Sequence, residues 1–189
     1  MKTQIILASA SPRRRMLMEE AGIVCETVSS DVDESLPEGT PPRTACMYNA
    51  LRKAQDIAAF HSDCIVIGAD TIVWDGRILG KPADPEDSFR TLSDLRNRAH
   101  RVLTGVCIIY ADKGITRLFC EETEVVFGDY SDQEIRDYIQ TGEPADKAGS
   151  YAVQGGWSVH VERISGDYNN VVGLPVERLK EELSKLGTD

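Results

Sequence analysis

The feature that most constrains the fold of this chain is an uninterrupted apolar run, Cys64-Ile65-Val66-Ile67-Gly68-Ala69. A half-buried strand alternates apolar and polar residues, whereas a strand covered on both faces reads as continuously apolar. We therefore predict that residues 64–69 form a central strand that is buried on both of its faces.

Capping and turn residues place the other elements around this strand. Ser11 followed by Pro12 marks the start of a helix, and Gly22 ends it. Asp84 is expected to cap the helix that starts at Pro85, and Glu134 is placed to complete a capping box with Ser131. Predicted helices cover residues 12–21, 40–60, 85–95, 131–140 and 175–186; predicted strands cover residues 4–8, 23–28, 64–69, a hairpin at 72–79, two strands within 101–127, and 159–164. Helix-linked strands and hairpins occur together, so we predict a mixed α/β sheet flanked by helices rather than a purely parallel sheet.

Length and charge limit the partners of the chain. Its 189 residues suffice for one domain or two small lobes with a buried core. The formal net charge of -10 disfavours binding to nucleic-acid backbones and to anionic membranes. It does not exclude a small anionic ligand, for which only the local field matters.

Cysteine usage and the N-terminal segment indicate the compartment. The five cysteines are odd in number and include no C-x-x-C pair, which favours a reducing environment. The apolar stretch before Ala8-Ser9-Ala10 is too short for a signal peptide. No segment approaches the roughly 20 apolar residues that span a bilayer. We expect a cytoplasmic protein.

A basic motif lies between the first predicted strand and the first predicted helix. It reads Ser9-Ala10-Ser11-Pro12-Arg13-Arg14-Arg15. Free backbone N–H groups and the helix dipole favour an anion at a helix N-terminus, and hydroxyl and guanidinium groups suit phosphate oxygens. A capped surface helix with solvated arginines explains the same residues, so the motif alone leaves both interpretations open.

Asp70 follows directly on the predicted central strand, within Gly68-Ala69-Asp70-Thr71. Open α/β sheets bind ligands beyond the carboxyl ends of their strands, so Asp70 is well placed to hold a metal ion or a water molecule. An aspartate that turns the chain into the next strand is an equally good interpretation.

Three lysines stand in apolar or turn-like settings. Lys53 is on a predicted helix, where a lysine is usually solvated and gives no signal by itself. Lys81 follows Gly80, and a glycine there lets a ligand approach the backbone closely. Lys147 lies in the turn Asp146-Lys147-Ala148-Gly149.

Two further segments carry polar side chains. Asp31, Asp33 and Glu34 form an acidic loop that lacks the spacing of an EF-hand. We interpret Asp31 and Asp33 as residues of a solvated loop. One carboxylate of this loop is available as a ligand of a magnesium ion. Gln154 precedes paired glycines, and its amide offers a donor and an acceptor to a base edge. A glycine-rich connection before a strand is the alternative for this segment.

The sequence also excludes several common sites. The three histidines stand apart from one another and form no H-x-x-x-H pair, which argues against zinc. No P-loop, no G-x-G-x-x-G and no G-x-S-x-G motif occurs.

Taken in chain order, these segments resemble one family, the Maf proteins, over nearly the whole chain. Residues 7–14, Leu-Ala-Ser-Ala-Ser-Pro-Arg-Arg, resemble the family's opening motif. The other matching segments are Asp33-Glu34, Lys53, Gly68-Ala69-Asp70-Thr71, Gly80-Lys81-Pro82, residues 103–106, Asp146-Lys147-Ala148-Gly149 with Tyr151, Gln154-Gly155 and residues 170–175. Asn97 departs from the family, which commonly has glycine there, but asparagine also accepts left-handed backbone.

The resemblance implies one Maf-like domain over residues 1–189. Its elongated α/β fold would resemble that of the inosine triphosphate pyrophosphatases, with an active-site cleft between two lobes. It also implies hydrolysis of a nucleoside triphosphate to the monophosphate and pyrophosphate, with a divalent cation, Mg²⁺ or Mn²⁺, and water attacking the α-phosphorus.

The resemblance further assigns roles to individual residues. Asp70 matches the family's proton acceptor and, with Glu34, its metal site. The implied catalytic set is Asp70, Glu34, Lys53 and Lys81, and the implied substrate-binding set is Ser9, Arg13, Arg14, Thr71, Lys147 and Gln154.

The resemblance separates two subfamilies. Residues 146–155 resemble the members that act on dTTP and UTP, whereas the sister subfamily acting on 7-methylguanosine triphosphate differs in this stretch. A nucleotide-binding regulator of cell division and septum formation is the alternative outside enzymes. The family also implies a homodimer.

Overall fold

The computed structural model describes residues 3–187, which form seven strands and six helices. The strands are β1 (Ile5–Ala8), β2 (Glu26–Val28), β3 (Ile65–Trp74), β4 (Ile78–Leu79), β5 (Ala99–Tyr110), β6 (Ile115–Phe127) and β7 (Val161–Ser165). The helices are α1 (Pro12–Glu20), α2 (Pro42–Ala58), α3 (Pro85–Leu95), α4 (Asp132–Gln140), α5 (Tyr168–Val172) and α6 (Val176–Ser184). The predicted mixed α/β sheet with flanking helices is confirmed.

The described chain divides into two compact units. Unit 1 contains residues 3–71, 104–121 and 173–187, and unit 2 contains residues 72–103 and 122–172. Strands β3, β5 and β6 each contribute residues to both units. Among residues 3–187, no helix has both the length and the apolar character that crossing a bilayer requires.

The sheet of unit 1 has the strand order β2-β1-β3-β5-β6. Strand β1 pairs in parallel with β2 and with β3, in the second case from Ile5 opposite Ile65 to Ala8 opposite Gly68. Ile65, Val66 and Ile67 are all fully buried although they point alternately to opposite faces. This confirms the prediction that the central strand is covered on both faces.

Helix α2 lies directly on the backbone of this sheet. A Cβ atom on Gly68 would lie 2.3 Å from the Ala50 carbonyl oxygen, and one on Gly105 would lie 2.4 Å from the Cys46 carbonyl oxygen. Two glycines, on β3 and β5, therefore permit a helix-to-sheet approach that any side chain would block. Four residues of α2 belong to an apolar cluster, namely Ala50, Ala54, Ile57 and Ala58. The other members of this cluster are Ile6, Ala8, Cys64, Val66, Cys107 and Ile109.

Unit 2 is built on aromatic rings instead. Phe127 packs edge-on against Tyr151 at 4.8 Å between ring centroids, and Tyr130 packs against Trp157 at the same distance. Strand β3 ends in an antiparallel hairpin with β4, in which Val73 lies opposite Leu79. Helix α3 packs on α4.

Most capping signals act as the sequence predicted. Ser11 caps α1 by accepting a hydrogen bond from the Arg14 N–H, and Asp84 caps α3 by accepting one from the Asp87 N–H at 2.7 Å. The capping box of α4, Ser131 with Glu134, is complete. Asn97 has a φ of 53°, which confirms that asparagine holds left-handed backbone at this position.

Several element boundaries differ from prediction, and one helix was not predicted. Helix α2 begins at Pro42 rather than at residue 40, and the Thr40 hydroxyl donates to the Pro37 carbonyl at 2.6 Å. Strand β2 begins at residue 26 rather than 23, and β7 begins at 161 because residues 156–160 form a 3₁₀ turn. Helix α5 was not predicted; Asp167 stabilises its start by accepting from the Asn169 N–H.

Candidate functional site

A buried lysine joins two carboxylates in unit 1. Lys53 Nζ lies 2.8 Å from Asp70 Oδ1 and 3.0 Å from Glu34 Oε1. Lys53 is 8% exposed and Asp70 is 7% exposed. Because a buried lysine or aspartate is tolerated only when it is paired, each charge accounts for the burial of the other. The structure thus brings together three residues that are up to 36 positions apart in the sequence, from Glu34 to Asp70.

Asp70 reaches this cluster from within a strand rather than from beyond its end. Strand β3 continues through Asp70 to Trp74, whereas the neighbouring strand β1 stops at Ala8, opposite Gly68. The predicted strand end at residue 69 is therefore wrong: β3 extends because its last residues pair with β4. Asp70 still lies past the carboxyl end of β1, the type of position at which α/β sheets bind ligands.

Asn49 belongs to the same cluster, although the sequence analysis missed it. Its Nδ2 donates to the Glu34 carbonyl oxygen at 3.1 Å and approaches Asp70 Oδ2 at 3.5 Å. Asn49 precedes Lys53 by four residues, so both project from one face of α2. That spacing, together with a polar residue on the apolar face of a helix, was the available signal.

Arg14 connects Ser9, Thr71 and the loop after α5. Its Nε donates to the Gly173 carbonyl at 2.8 Å, one Nη donates to Ser9 Oγ at 3.2 Å, and the other donates to Thr71 Oγ1 at 3.0 Å. Burial lowers the pKa of the Arg14 guanidinium, and attraction to the Asp70 carboxylate opposes this shift. Three of its five N–H groups therefore donate hydrogen bonds within the protein.

Ser9 and Arg13 lie at the N-terminal end of α1. Ser9 Oγ also accepts from the Ser11 N–H at 3.2 Å, which holds the hydroxyl beside the first turn. Arg13 is in that first turn and is half-buried. The like charge of Arg13 contributes to the lowered pKa of Arg14. Ser9 and two guanidinium groups are therefore concentrated at one helix N-terminus, an arrangement suited to an anion.

Asp33 does not join the carboxylate cluster. Its two side-chain oxygens accept from the Ser35 N–H at 2.9 Å and from the Ser35 hydroxyl at 2.6 Å. These hydrogen bonds lower the pKa of Asp33. The geometry agrees with the interpretation of Asp33 as a local loop residue.

Lys81, Lys147 and Gln154 belong to unit 2. The Gly149 N–H donates to the Gly80 carbonyl at 3.1 Å, which ties the Lys147 segment to the Lys81 segment. Lys81 is exposed, and Lys147 is half-buried and ion-paired with Asp146. Gly149 has a φ of 70°, and a Cβ there would meet Val73 at 2.9 Å, so only glycine fits this tie.

Gln154 is exposed at the end of a loop. Glu143, which no sequence motif indicated, holds this loop in place. Glu143 Oε2 accepts from the Gly156 N–H at 3.0 Å. A Cβ on Gly155 would lie 1.4 Å from Glu143 Oε1, so the carboxylate occupies the space beside this glycine. Paired glycines after a polar residue were the only sequence signal for this contact.

The residues around Asp70 fit a divalent cation of the magnesium type. Lys53 contacts one oxygen of Glu34 and one of Asp70, and the second oxygen of Asp70 has a longer contact, 3.5 Å, from Asn49. Mg²⁺ prefers oxygen ligands and usually combines one or two carboxylates with waters and substrate phosphates. Among residues 3–187, no group of three or more histidine, cysteine, aspartate or glutamate side chains is arranged to hold a metal ion.

Comparison with known proteins places the chain in a family. The family model described as "Maf-like protein" matches residues 4–186. A dTTP/UTP pyrophosphatase of Bacillus cereus (strain ATCC 10987 / NRS 248) is 48% identical, over 98% of this chain and 91% of the relative. One from Bacillus anthracis is 46% identical, over 98% and 97%.

A solved structure shares the fold at much lower sequence similarity. A HAM1 protein from Coxiella burnetii matches with a TM-score of 0.52 and 13% identity, over 97% of this chain and 99% of that one. At this identity the likeness concerns the fold alone. The match to the family model and the relatives near half identity carry the assignment: the chain belongs to the Maf family.

Proposed function

We propose that this chain is a nucleoside triphosphate pyrophosphatase that hydrolyses dTTP and UTP to the monophosphate and pyrophosphate. The relatives that match over nearly its whole length are named for this activity. The observation that carries the chemistry is the Asp70–Lys53–Glu34 cluster, in which a lysine buried beside two carboxylates keeps them close together.

Asp70 accepts the proton of the attacking water in this proposal. The water oxygen forms a bond to the α-phosphorus, the bond from that phosphorus to the bridging oxygen breaks, and pyrophosphate leaves. Lys53 holds Asp70 by its Oδ1 at 2.8 Å, so Oδ2, which has the longer 3.5 Å contact from Asn49, is the oxygen assigned to the water. General-base assistance of this kind contributes about 10²- to 10⁴-fold to a rate.

Glu34 and Asp70 would hold the divalent cation, Mg²⁺ or Mn²⁺. When bound, the cation supplies positive charge that stabilises the phosphate oxygens as they gain negative charge. The chain adds positive charge of its own, and both contributions act where water is partly excluded.

Arg13, Arg14 and Ser9 bind the triphosphate in this scheme. Arg14 is already held by Ser9, Thr71 and the Gly173 carbonyl, so its remaining N–H groups are preorganised. Lys53, which lies beside Asp70, is assigned to neutralising negative charge of the triphosphate. From unit 2, Lys81 and Lys147 are assigned to the phosphates.

Gln154 is assigned to the base. Its side chain is exposed, and Glu143 fixes the loop behind it. One amide donates and accepts hydrogen bonds at once, which suits the neighbouring carbonyl and N–H groups of thymine and uracil. Thr71, held by Arg14 and by the Thr104 hydroxyl at 3.0 Å, is the second residue assigned to substrate choice.

Pyrophosphate release tests this function. The purified protein is incubated with Mg²⁺ or Mn²⁺ and with dTTP, UTP, CTP, dATP, GTP or 7-methyl-GTP. Preferential release from dTTP and UTP supports the proposal. Release from 7-methyl-GTP alone retains the reaction but replaces the substrate, and nucleotide binding without turnover supports a regulatory protein instead.

The setting of the enzyme is also proposed. A homodimer in the cytoplasm is the expected form. No disulfide joins any of the five cysteines, all of which lie within residues 3–187, and this agrees with a reducing compartment. Light scattering on a size-exclusion column tests the dimer.

A further inference from the structure

Asn49 contacts both segments that carry the carboxylates. It is 4% exposed, and its Nδ2 lies 3.1 Å from the Glu34 carbonyl oxygen and 3.5 Å from Asp70 Oδ2. The first contact is to the main chain of the acidic loop, and the second is to the side chain of a strand residue. One amide group therefore lies between a loop and a strand.

The surroundings of Asn49 determine which way its amide points. Both neighbouring groups are acceptors, so the nitrogen must face them; a flipped amide would place its oxygen against two other oxygens. The Asn49 oxygen consequently faces away from both, and it has no hydrogen-bond partner among residues 3–187. Burying an acceptor unpaired costs about 1–3 kcal/mol, so the two donated contacts must offset this cost.

Asn49 and Lys53 act on the same pair of residues in different ways. Lys53 binds the Glu34 carboxylate and Asp70 Oδ1 and supplies charge. Asn49 binds the Glu34 main chain and the other oxygen of Asp70 and supplies no charge. Lys53 therefore fixes the side-chain ends, and Asn49 fixes where the loop backbone lies relative to the strand.

We propose that Asn49 is a positioning residue, which holds the Glu34 main chain beside Asp70 and thereby sets the spacing of the two carboxylates for a divalent cation. This inference rests on the proposed function only in taking the cation as the partner of those carboxylates. Groups that orient metal ligands typically change metal affinity about 10- to 100-fold when they are removed.

Asn49→Leu tests this role because leucine has a similar size and no hydrogen-bonding groups. Its matched control is Asn170→Leu. Asn170 is fully buried in unit 2, and its Nδ2 also donates to a carbonyl, that of Val102, and to a second oxygen, Thr123 Oγ1. The control therefore measures the general cost of replacing a buried, hydrogen-bonded asparagine.

The readouts are Mn²⁺ affinity, by electron paramagnetic resonance on purified protein with UMP, and the kcat and KM for UTP. We expect Asn49→Leu to weaken Mn²⁺ binding by about tenfold, to lower kcat, and to change the KM for UTP by less than about threefold. Asn170→Leu should leave Mn²⁺ affinity unchanged. Asn49→Ala serves if the leucine variant fails to fold.

Three results overturn the proposal: unchanged Mn²⁺ affinity in the Asn49 variants, an equal loss of affinity in Asn170→Leu, or a wild-type protein that binds no Mn²⁺. Absence of pyrophosphate release from the wild-type protein overturns the proposed function instead. The Mn²⁺ titration involves no turnover, so it still decides the role of Asn49 in that case.

Discussion

The two units of this chain build their interiors in opposite ways. In unit 1, glycines and alanines let helix α2 touch the sheet backbone, and the polar cluster of Asp70, Lys53 and Glu34 lies beside that contact. In unit 2, large rings fill the interior, and the candidate ligand-binding residues lie on loops.

This difference relates to what each unit is proposed to do. A reacting group needs a fixed position. Because the backbone of the sheet is in direct contact with α2, neither can move without disturbing the other. Residues that select a base need access to solvent, which loops provide. The comparison therefore predicts that substitutions near α2 affect turnover most, whereas those on the loops of unit 2 affect substrate choice.

The largest expected effect is that of Asp70→Asn. Asparagine keeps an oxygen that accepts from Lys53 but cannot take up a proton, so kcat should fall by about 10³-fold or more while the protein still folds. Pyrophosphate release and circular dichroism measure the two effects. Asp33→Asn is the matched control, and its activity should stay within about threefold of wild type because Asp33 bonds only within its own loop. An Asp70→Asn enzyme that retained most of its activity would remove Asp70 from the mechanism.

The next effect concerns the pH dependence of the free energy of unfolding, through a histidine of unit 2. Burial lowers the pKa of His100 to about 4, and its only described hydrogen bond joins Nε2 to the Tyr151 hydroxyl. In the unfolded chain, His100 is protonated below about pH 6.5, whereas in the folded chain it stays neutral down to about pH 4. The free energy of unfolding is therefore unaffected by His100 above about pH 6.5 and decreases as the pH falls towards 4. Once the pH has fallen to about 4, the free energy of unfolding should be lower by about 3 kcal/mol because of His100.

Urea unfolding at a series of pH values checks this expectation. His100→Gln removes the titrating group and keeps a hydrogen-bonding side chain. Its free energy of unfolding should therefore decrease less than that of wild type between about pH 6.5 and pH 4. Parallel curves for the two proteins would show that His100 is not responsible.

A smaller loss of stability is expected from Gly68→Ala. The new methyl group would meet the backbone of α2, so the helix must move, at a cost of about 1–3 kcal/mol. Activity should fall further than stability alone explains, because α2 carries Lys53. Gly80→Ala is the stability control, since a Cβ there meets no atom within 4 Å and its unfolding midpoint should not fall. Equal losses of stability in both variants would contradict the role of the close contact.

The smallest effect is that of Gln154→Ala. The side chain is exposed and no catalytic role is assigned to it, so we expect about a tenfold loss of preference for UTP over other triphosphates, with kcat for the best substrate little changed. Competition between UTP and GTP in one reaction measures the preference. A kcat that fell as far as in Asp70→Asn would break the division of roles between the units.

Local signals predicted most of the elements correctly. Ser11, Asp84 and the pair Ser131 and Glu134 start helices because a cap depends on atoms within three or four residues. The central strand was evident because burial on both faces leaves a continuous apolar run. Family motifs named the candidate site residues, and their roles remain proposals.

The sequence by itself therefore determined the capped starts of α1, α3 and α4, the burial of the central strand and the family. Only the tertiary structure decided that β3 runs on through Asp70, that Lys53 is buried, and that Arg14 reaches the Gly173 carbonyl. Asn49 became visible as a part of the cluster for the same reason. Caps and turns act over a few residues, whereas these contacts join residues far apart in the chain, and their partners follow from strand pairing and helix packing.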